Sequence, residues 1–328
     1  MPEIQIDSTR CTGCGMCVNF CPVEVFDLVP VNGAGSARRP QATRAENCWA
    51  CDTCVGQCPH GAIRVIEAPE DAIEFGSDEP FAEPLPIEEK RLYAEWHKTL
   101  KEVLGLRWNP VAIKLIPQGE PLPDVRMPRV KLRHCQSLMM ARRGISLLMP
   151  PQCHACPDGT HILGLTEIPP KLESGELYLL FKKLDSIEAA QRMIAERPRL
   201  PERSMRATLV TPLEDAVMTP DVVAIIAQPE QMMWLTMASS FYTGHRSSFH
   251  ISGYNAQCVE TTLMPFTTGQ FNMSLGCYGC RASSDISDDL MFMGIPVAQM
   301  PEIIRGVKSL GKKAIKDSRN KVYLPPNL

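Results

Sequence analysis

The feature that most constrains this 328-residue chain is a cysteine spacing that occurs twice. Cys11, Cys14, Cys17 and Cys21 are followed by Pro22, and Cys48, Cys51, Cys54 and Cys58 by Pro59. Each run reads C-x2-C-x2-C-x3-C-P, a ligand pattern for a thiolate-held [4Fe–4S] cluster in which the fourth cysteine of each run ligates the other cluster. The pattern assigns Cys11, Cys14, Cys17 and Cys58 to one cluster and Cys48, Cys51, Cys54 and Cys21 to the other. A disulfide framework does not explain two identical registers, each closed by proline. A four-thiolate zinc site normally uses two separated C-x2-C pairs, not three cysteines at two-residue intervals.

These residues, with Gly13, Gly15 and the closing Cys58-Pro59-His60-Gly61-Ala62-Ile63, resemble the bacterial two-cluster ferredoxins over residues 1–67. The resemblance implies a small bacterial-ferredoxin-like domain with two [4Fe–4S] clusters that carries low-potential electrons. Its departure is segment 22–47, which is longer than in the shortest members and contains Asn32-Gly33-Ala34-Gly35-Ser36. The alternating residues 3–7 and the β-branched run Arg64-Val65-Ile66-Glu67 are expected to pair as short strands at the two ends of the module.

The character of the chain changes after Glu67. Residues 68–86 hold Pro69, Pro80, Pro84 and Pro86 among six acids, the composition of an extended acidic linker. A second domain is expected over 87–328. It opens on a helix whose apolar positions are Ile87, Leu92, Trp96, Leu100 and Leu104, followed by a strand at 110–116. A helix over 186–196 has Ser186 as its N-cap. The continuous apolar run Val222-Val223-Ala224-Ile225-Ile226-Ala227 reads as a core strand with a helix after it. The expected class is α+β: the small ferredoxin-like domain, then a larger mixed α/β domain.

Residues 92–312 resemble the domain of unknown function numbered 169, an uncharacterised, archaeal-type Cys-rich family. The resemblance rests on Asn109-Pro110-Val111-Ala112-Ile113-Lys114, Cys135 with Ala141-Arg142-Arg143-Gly144, Glu173-Ser174-Gly175-Glu176, Pro220-Asp221-Val222-Val223, and Gly276-Cys277 with Gly294-Ile295-Pro296. It implies no reaction, so chemistry has to come from the residues.

Of the 14 cysteines, six lie outside the two runs: Cys135, Cys153, Cys156, Cys258, Cys277 and Cys280. At least four of them are expected to form a third metal site, an Fe–S cluster or a zinc, because two are C-x2-C pairs and an attached ferredoxin needs an electron acceptor. A redox dithiol and plain buried thiols are the other readings of the same pairs. His134, His154, Arg142 and Arg246 are the candidates to bind and protonate a substrate. There is no dinucleotide, P-loop or hydrolase-elbow motif, and a flavin, which needs no short signature, stays open.

With 34 basic and 37 acidic residues, no field points to nucleic acid. No apolar leader or run long enough to span a membrane is read, so a cytoplasmic location is expected. The leading functional expectation is an iron–sulfur redox protein that relays electrons to the Cys-rich domain and reduces a small molecule. The alternatives are a non-catalytic electron-transfer subunit that docks a larger oxidoreductase and, behind it, a metal or cluster carrier.

Overall fold

The computed structural model describes residues 2–31, 37–48, 50–66 and 81–316. The Asn32–Ser36 segment and the expected linker as far as residue 80 lie outside the described residues.

In the N-terminal domain the strands are β1 (Glu3–Ile6), β2 (Phe26–Pro30), β3 (Arg38–Ala42) and β4 (Ile63–Ile66). β1 pairs antiparallel with β4, placing Glu3 opposite Ile66 and Ile6 opposite Ile63, which joins the two ends of the module as expected. β2 pairs with β3. The core is small and is built partly from cluster-motif residues: Cys17, Cys21 and Cys54 pack with Val25, Phe26 and Ile63, and Ile4 and Ile6 close over them. A module this size buries too little apolar surface to be stable without such reinforcement.

The larger domain contributes β5 (Val111–Pro117), β6 (Leu147–Met149), β7 (Met205–Pro212), β8 (Val222–Ala227), β9 (Asn272–Ser274) and β10 (Met291–Pro296). They form one sheet in the order β6-β7-β5-β8-β10-β9. β8 is buried along its whole length, which explains why its sequence shows no alternation. β10 runs antiparallel to it, with Met291 opposite Ala227 and Pro296 opposite Val222. The Asp221 carboxylate at the head of β8 accepts from Leu115 N (2.8 Å) and from Lys114 Nζ (3.2 Å), which ties β8 to β5.

The opening helix, Ile87–Leu104, begins with Glu88 and Glu89 in its first turn and stops at Gly105, whose φ of 65° is left-handed. Trp96, Leu100 and Leu104 face the core as expected, but Ile87 and Leu92 point outward. Tyr93, three residues before Trp96, takes the inner position, since i and i+3 share a helix face. The expected Ser186 cap is present, with its Oγ accepting from Ala189 N at 3.2 Å.

By packing, the chain divides into two compact units. The first comprises residues 1–82, 116–134 and 148–208, and the second residues 83–115, 135–147 and 209–328. The ferredoxin domain therefore shares its unit with two segments of the larger domain. The second unit has its own core, in which the opening helix, β8, β10 and helices Pro229–Ser240 and Met300–Lys316 meet.

One close backbone approach within the second unit fixes a residue type. A Cβ added to Gly294 in β10 would lie 1.8 Å from the Thr261 carbonyl oxygen, and neither atom belongs to a movable side chain. Gly294→Ala is expected to cost about 3 kcal/mol or more, read as a lowered urea midpoint. Gly56→Ala, with nothing within 4 Å of its new Cβ, should leave the midpoint within about 1 kcal/mol of the parent.

Candidate functional site

The repeated cysteine spacing is also a repeated backbone. Helix Met16–Phe20 carries the third cysteine of the first run and helix Thr53–Gln57 that of the second. Left-handed residues recur at matched places: Gly13 (φ 74°) and Ala50 (55°), Gly15 (76°) and Asp52 (56°), Glu24 (54°) and Gly61 (55°). Glycine adopts this conformation freely, whereas Ala50, Asp52 and Glu24 are held there at a cost. Each fourth cysteine ends its short helix in an extended conformation, Cys21 at ψ 114° and Cys58 at ψ 107°. The proline that follows excludes the helical alternative. Each sulfur then accepts a backbone N–H from four residues on, Val25 N to Cys21 Sγ and Ala62 N to Cys58 Sγ, both at 3.3 Å.

The eight thiols gather as two sets. Cys11, Cys14, Cys17 and Cys58 line one cavity, with Pro40 and Ile63 in its wall. Cys21 sits with Cys48, Cys51 and Cys54: burial raises its thiol, and charge on Cys51 and Cys48 raises it further. Burial raises Cys54 in the same way, helped by Cys51, Cys21 and Cys48. In the first set burial lifts Cys17 to about 11, and Cys11 and Cys14 add to it. Thiols so placed resist ionising together, and a cationic iron–sulfur core is the partner that offsets their repulsion. The donor sets fit two [4Fe–4S] clusters.

Residues of the larger domain that belong to the same unit grip this module. The ammonium of Lys171, 8% exposed, donates to the carbonyl oxygens of Val18 (2.6 Å) and Asn19 (2.9 Å). Both carbonyls lie between Cys17 and Cys21. Phe181 meets Phe20, with ring centroids 5.0 Å apart. The charge of Lys131 lowers the thiol pKa of Cys48, against a larger rise from burial. Sequence reasoning missed all three, because a lone Lys or Phe carries no local signal of a partner far along the chain.

Leu132, next to Lys131, leads to the first of the outlying cysteine pairs. Leu132 N donates to Cys153 O and Ala155 N to Leu132 O, both at 2.9 Å. Cys153 is buried, and Cys156 caps helix Pro157–Ile162, its sulfur accepting from Gly159 N at 3.4 Å. His134 and His154 are both buried, and His154 Nε2 lies 3.1 Å from Met149 O. Burial pushes His134 down to about 3, with His154 adding to the shift, and His154 itself down to about 4. Both imidazoles are neutral near neutral pH.

The second unit holds the other pair. Cys277 N donates to Cys280 Sγ at 3.1 Å and Cys280 N to Cys277 Sγ at 3.3 Å. The Cys280 side chain, burial-opposed backbone donors and N–H groups of Ala256 and Gly279 bring Cys277 down to about 6, whereas Cys280 is driven up. Cys135 is brought to the same place, since its charge acts on Cys280 and Ser284 Oγ donates to its sulfur at 3.1 Å. Cys258 lies on the π-helix Ala256–Leu263, an element rare enough that its presence often marks function. Arg142 is buried and lowered to about 10 by burial and then by Arg143 and Arg107; all three guanidinium groups lie over the Trp108 ring. Arg246 lines a separate open pocket with His245, His250 and Glu302. Among the described residues no three His, Cys, Asp or Glu side chains are close enough to hold a single metal ion. No described helix is long and apolar enough to cross a membrane.

Comparison with known proteins finds two family matches along the chain. The model of the 4Fe-4S dicluster domain matches residues 10–62, and that of the family described as uncharacterised ArCR matches residues 99–306. An uncharacterized protein of Methanocaldococcus jannaschii is 27% identical over 214 residues, covering 64% of this chain and 91% of that protein. A ferredoxin of Methanothermococcus thermolithotrophicus is 35% identical over 67 residues, 20% of this chain and 100% of its own. An uncharacterized ferredoxin of M. jannaschii is 34% identical over 64 residues, 19% of this chain and 92% of its own.

The neutral histidines make the fold acid-sensitive. Their folded pKa values lie below the ordinary histidine value of about 6.5, so between the two the unfolded chain binds more protons. Stability is fully present above about pH 6.5 and falls as pH drops toward 4, by about 2 kcal/mol per histidine at pH 5. Thermal unfolding followed at pH 7 and pH 5 should show this loss, and His154→Gln should make the dependence shallower.

Proposed function

We propose that this chain, which belongs to the uncharacterised ArCR family and carries a two-cluster ferredoxin domain, is an iron–sulfur electron-transfer protein whose family domain receives low-potential electrons and spends them on a small molecule. When bound, the [4Fe–4S] clusters supply single-electron transfer. The chain supplies ligation, burial and orientation. Cys11, Cys14, Cys17 and Cys58 hold one cluster, and Cys48, Cys51, Cys54 and Cys21 the other.

The observation that carries this reading is the grip of Lys171 and Phe181 on helix Met16–Phe20. A diffusing carrier keeps the surface around its clusters free for exchange of partners. Here the helix between Cys17 and Cys21 is held by the chain's own family domain, through charge-assisted bonds worth about 1.5–3 kcal/mol each and an aromatic pair worth about 1 kcal/mol. The buried ammonium also favours the negative charge that a thiolate-ligated cluster carries.

The outlying cysteines give the family domain its redox-capable groups. An anaerobic iron, sulfide and zinc count separates thiols alone, at about eight irons and no zinc, from a third cluster or a zinc site. The second reading, a non-catalytic subunit of a larger oxidoreductase, draws on one feature. Met233, Met237, Phe241 and Tyr242 form an exposed apolar stripe on and just beyond helix Pro229–Ser240, of the kind that docks protein partners.

Two measurements test the leading reading. Cys21→Ala is expected to damage the cluster of the Cys48 set, taking iron from about eight toward four per chain, with Cys58→Ala acting on the other. Paramagnetic resonance showing Cys21→Ala damage confined to the Cys11 set would exclude the crossed assignment. Lys171→Met should keep both clusters and speed hydrogen exchange in residues 16–20 about tenfold or more; unchanged exchange would remove the clamp from the argument.

A further inference from the structure

We propose that Cys277 and Cys280 are a redox-active dithiol that reduces disulfides, with Cys277 as the attacking thiol and Cys280 as the resolving one. The two sulfurs are paired before any reaction. Each accepts a hydrogen bond from the other residue's backbone N–H, at 3.1 and 3.3 Å, and Cys280 Sγ lies 3.2 Å from Cys277 O. Residues three apart at the start of a helical turn have the Cα separation a disulfide needs.

The two thiols differ in ways that assign their roles. Cys277 is partly exposed and Cys280 buried, which favours the first as the thiol that meets a substrate. Backbone N–H groups of Cys280, Gly279 and Ala256 point at the Cys277 sulfur and favour its thiolate. Leu275 and Tyr278, both exposed, flank it as an apolar rim. Cys135 adds a third, buried sulfur next to Cys280, and the loop after the pair is pinned by Gln136 Nε2 to Ser283 O (2.8 Å) and Arg142 Nη2 to Asp285 O (2.5 Å).

The reaction balances with a disulfide as oxidant. Cys277 thiolate attacks one sulfur of RSSR′, forming a Cys277–SR bond as the S–S bond breaks, and R′S⁻ leaves and takes up a proton. Cys280 loses its proton and attacks Cys277 Sγ, so that the Cys277–Cys280 bond forms and RSH is released. The substrate gains two electrons and two protons: the pair supplies both electrons and the Cys280 proton, and solvent returns the proton that Cys277 gave up on ionising. A dithiol, or two one-electron donors with two protons, restores the pair.

The test uses the full chain with its clusters, handled anaerobically. Protein is exposed to excess glutathione disulfide, remaining thiols are blocked with N-ethylmaleimide, and peptides are read by mass spectrometry. The expected result is an internal Cys277–Cys280 disulfide that dithiothreitol reverses. Cys280→Ser should retain glutathione on Cys277, and Cys277→Ser should retain none on residue 280. In the unmodified sequence, limiting iodoacetamide should label Cys277 about tenfold faster than Cys280, a readout that does not depend on any variant folding. The proposal is overturned if both thiols stay open to N-ethylmaleimide after the glutathione treatment, if the two label at equal rates, or if Cys277→Ser lowers the iron or zinc content.

Discussion

Four thiols gathered in one pocket repel one another once ionised, and the N-terminal domain imposes that arrangement twice. Its backbone accepts a further cost to do so, holding Ala50, Asp52 and Glu24 left-handed where the matched positions use glycine. Bound clusters would compensate: Cys17, Cys21 and Cys54 are core residues, so metal bonds at these thiols would relieve the repulsion and also cross-link the core. The prolines after Cys21 and Cys58 add to this by keeping the fourth cysteine of each run extended. Their sulfurs then meet the N–H groups of Val25 and Ala62, donors that stabilise a thiolate and raise a cluster's potential.

The same unit contains a chain of contacts that ties the Cys153/Cys156 segment to the ferredoxin helix. Asp158, two residues after Cys156, accepts from the Tyr178 hydroxyl and pairs with Arg197, each at 2.5 Å. Burial alone would lower the Arg197 pKa, but Asp158 and Tyr178 outweigh it, so the guanidinium stays charged in the interior. Removing one partner of such a pair leaves an uncompensated charge and costs about 3–5 kcal/mol. Tyr178 sits three residues before Phe181, which packs on Phe20. A run of partnered side chains therefore links the segment of one outlying cysteine pair to the helix between Cys17 and Cys21.

In the second unit the π-helix performs a comparable task with different chemistry. Its Glu260 is 1% exposed, yet accepts from Ser252 N, Ser252 Oγ, Gly253 N and Ser274 Oγ. That many donors make a buried carboxylate tolerable and hold the loop before the π-helix against β9. Ala256, the first residue of the π-helix, then presents its N–H to Cys277. Gly294 passes close enough under Thr261 that the π-helix has one seating over β10.

The sequence by itself determined what could be read within a few residues. Two cysteine registers, each with its proline, specify two soft-metal sites, because ligand spacing and the pre-proline restriction are local properties. Ser186 as a cap and the unbroken apolar run of β8 were legible for the same reason. The outer face of helix Ile87–Leu104 was not, since Ile87 and Leu92 fit the helical period and only packing showed that Tyr93 takes the inner place. Tertiary structure alone decided that Lys171 and Phe181 close on the ferredoxin helix, that His134 and His154 are buried and neutral, and that Cys135 joins Cys277 and Cys280. Each of these depends on desolvation or on a partner more than a hundred residues away or in another element, and such energies exist only once the chain has folded.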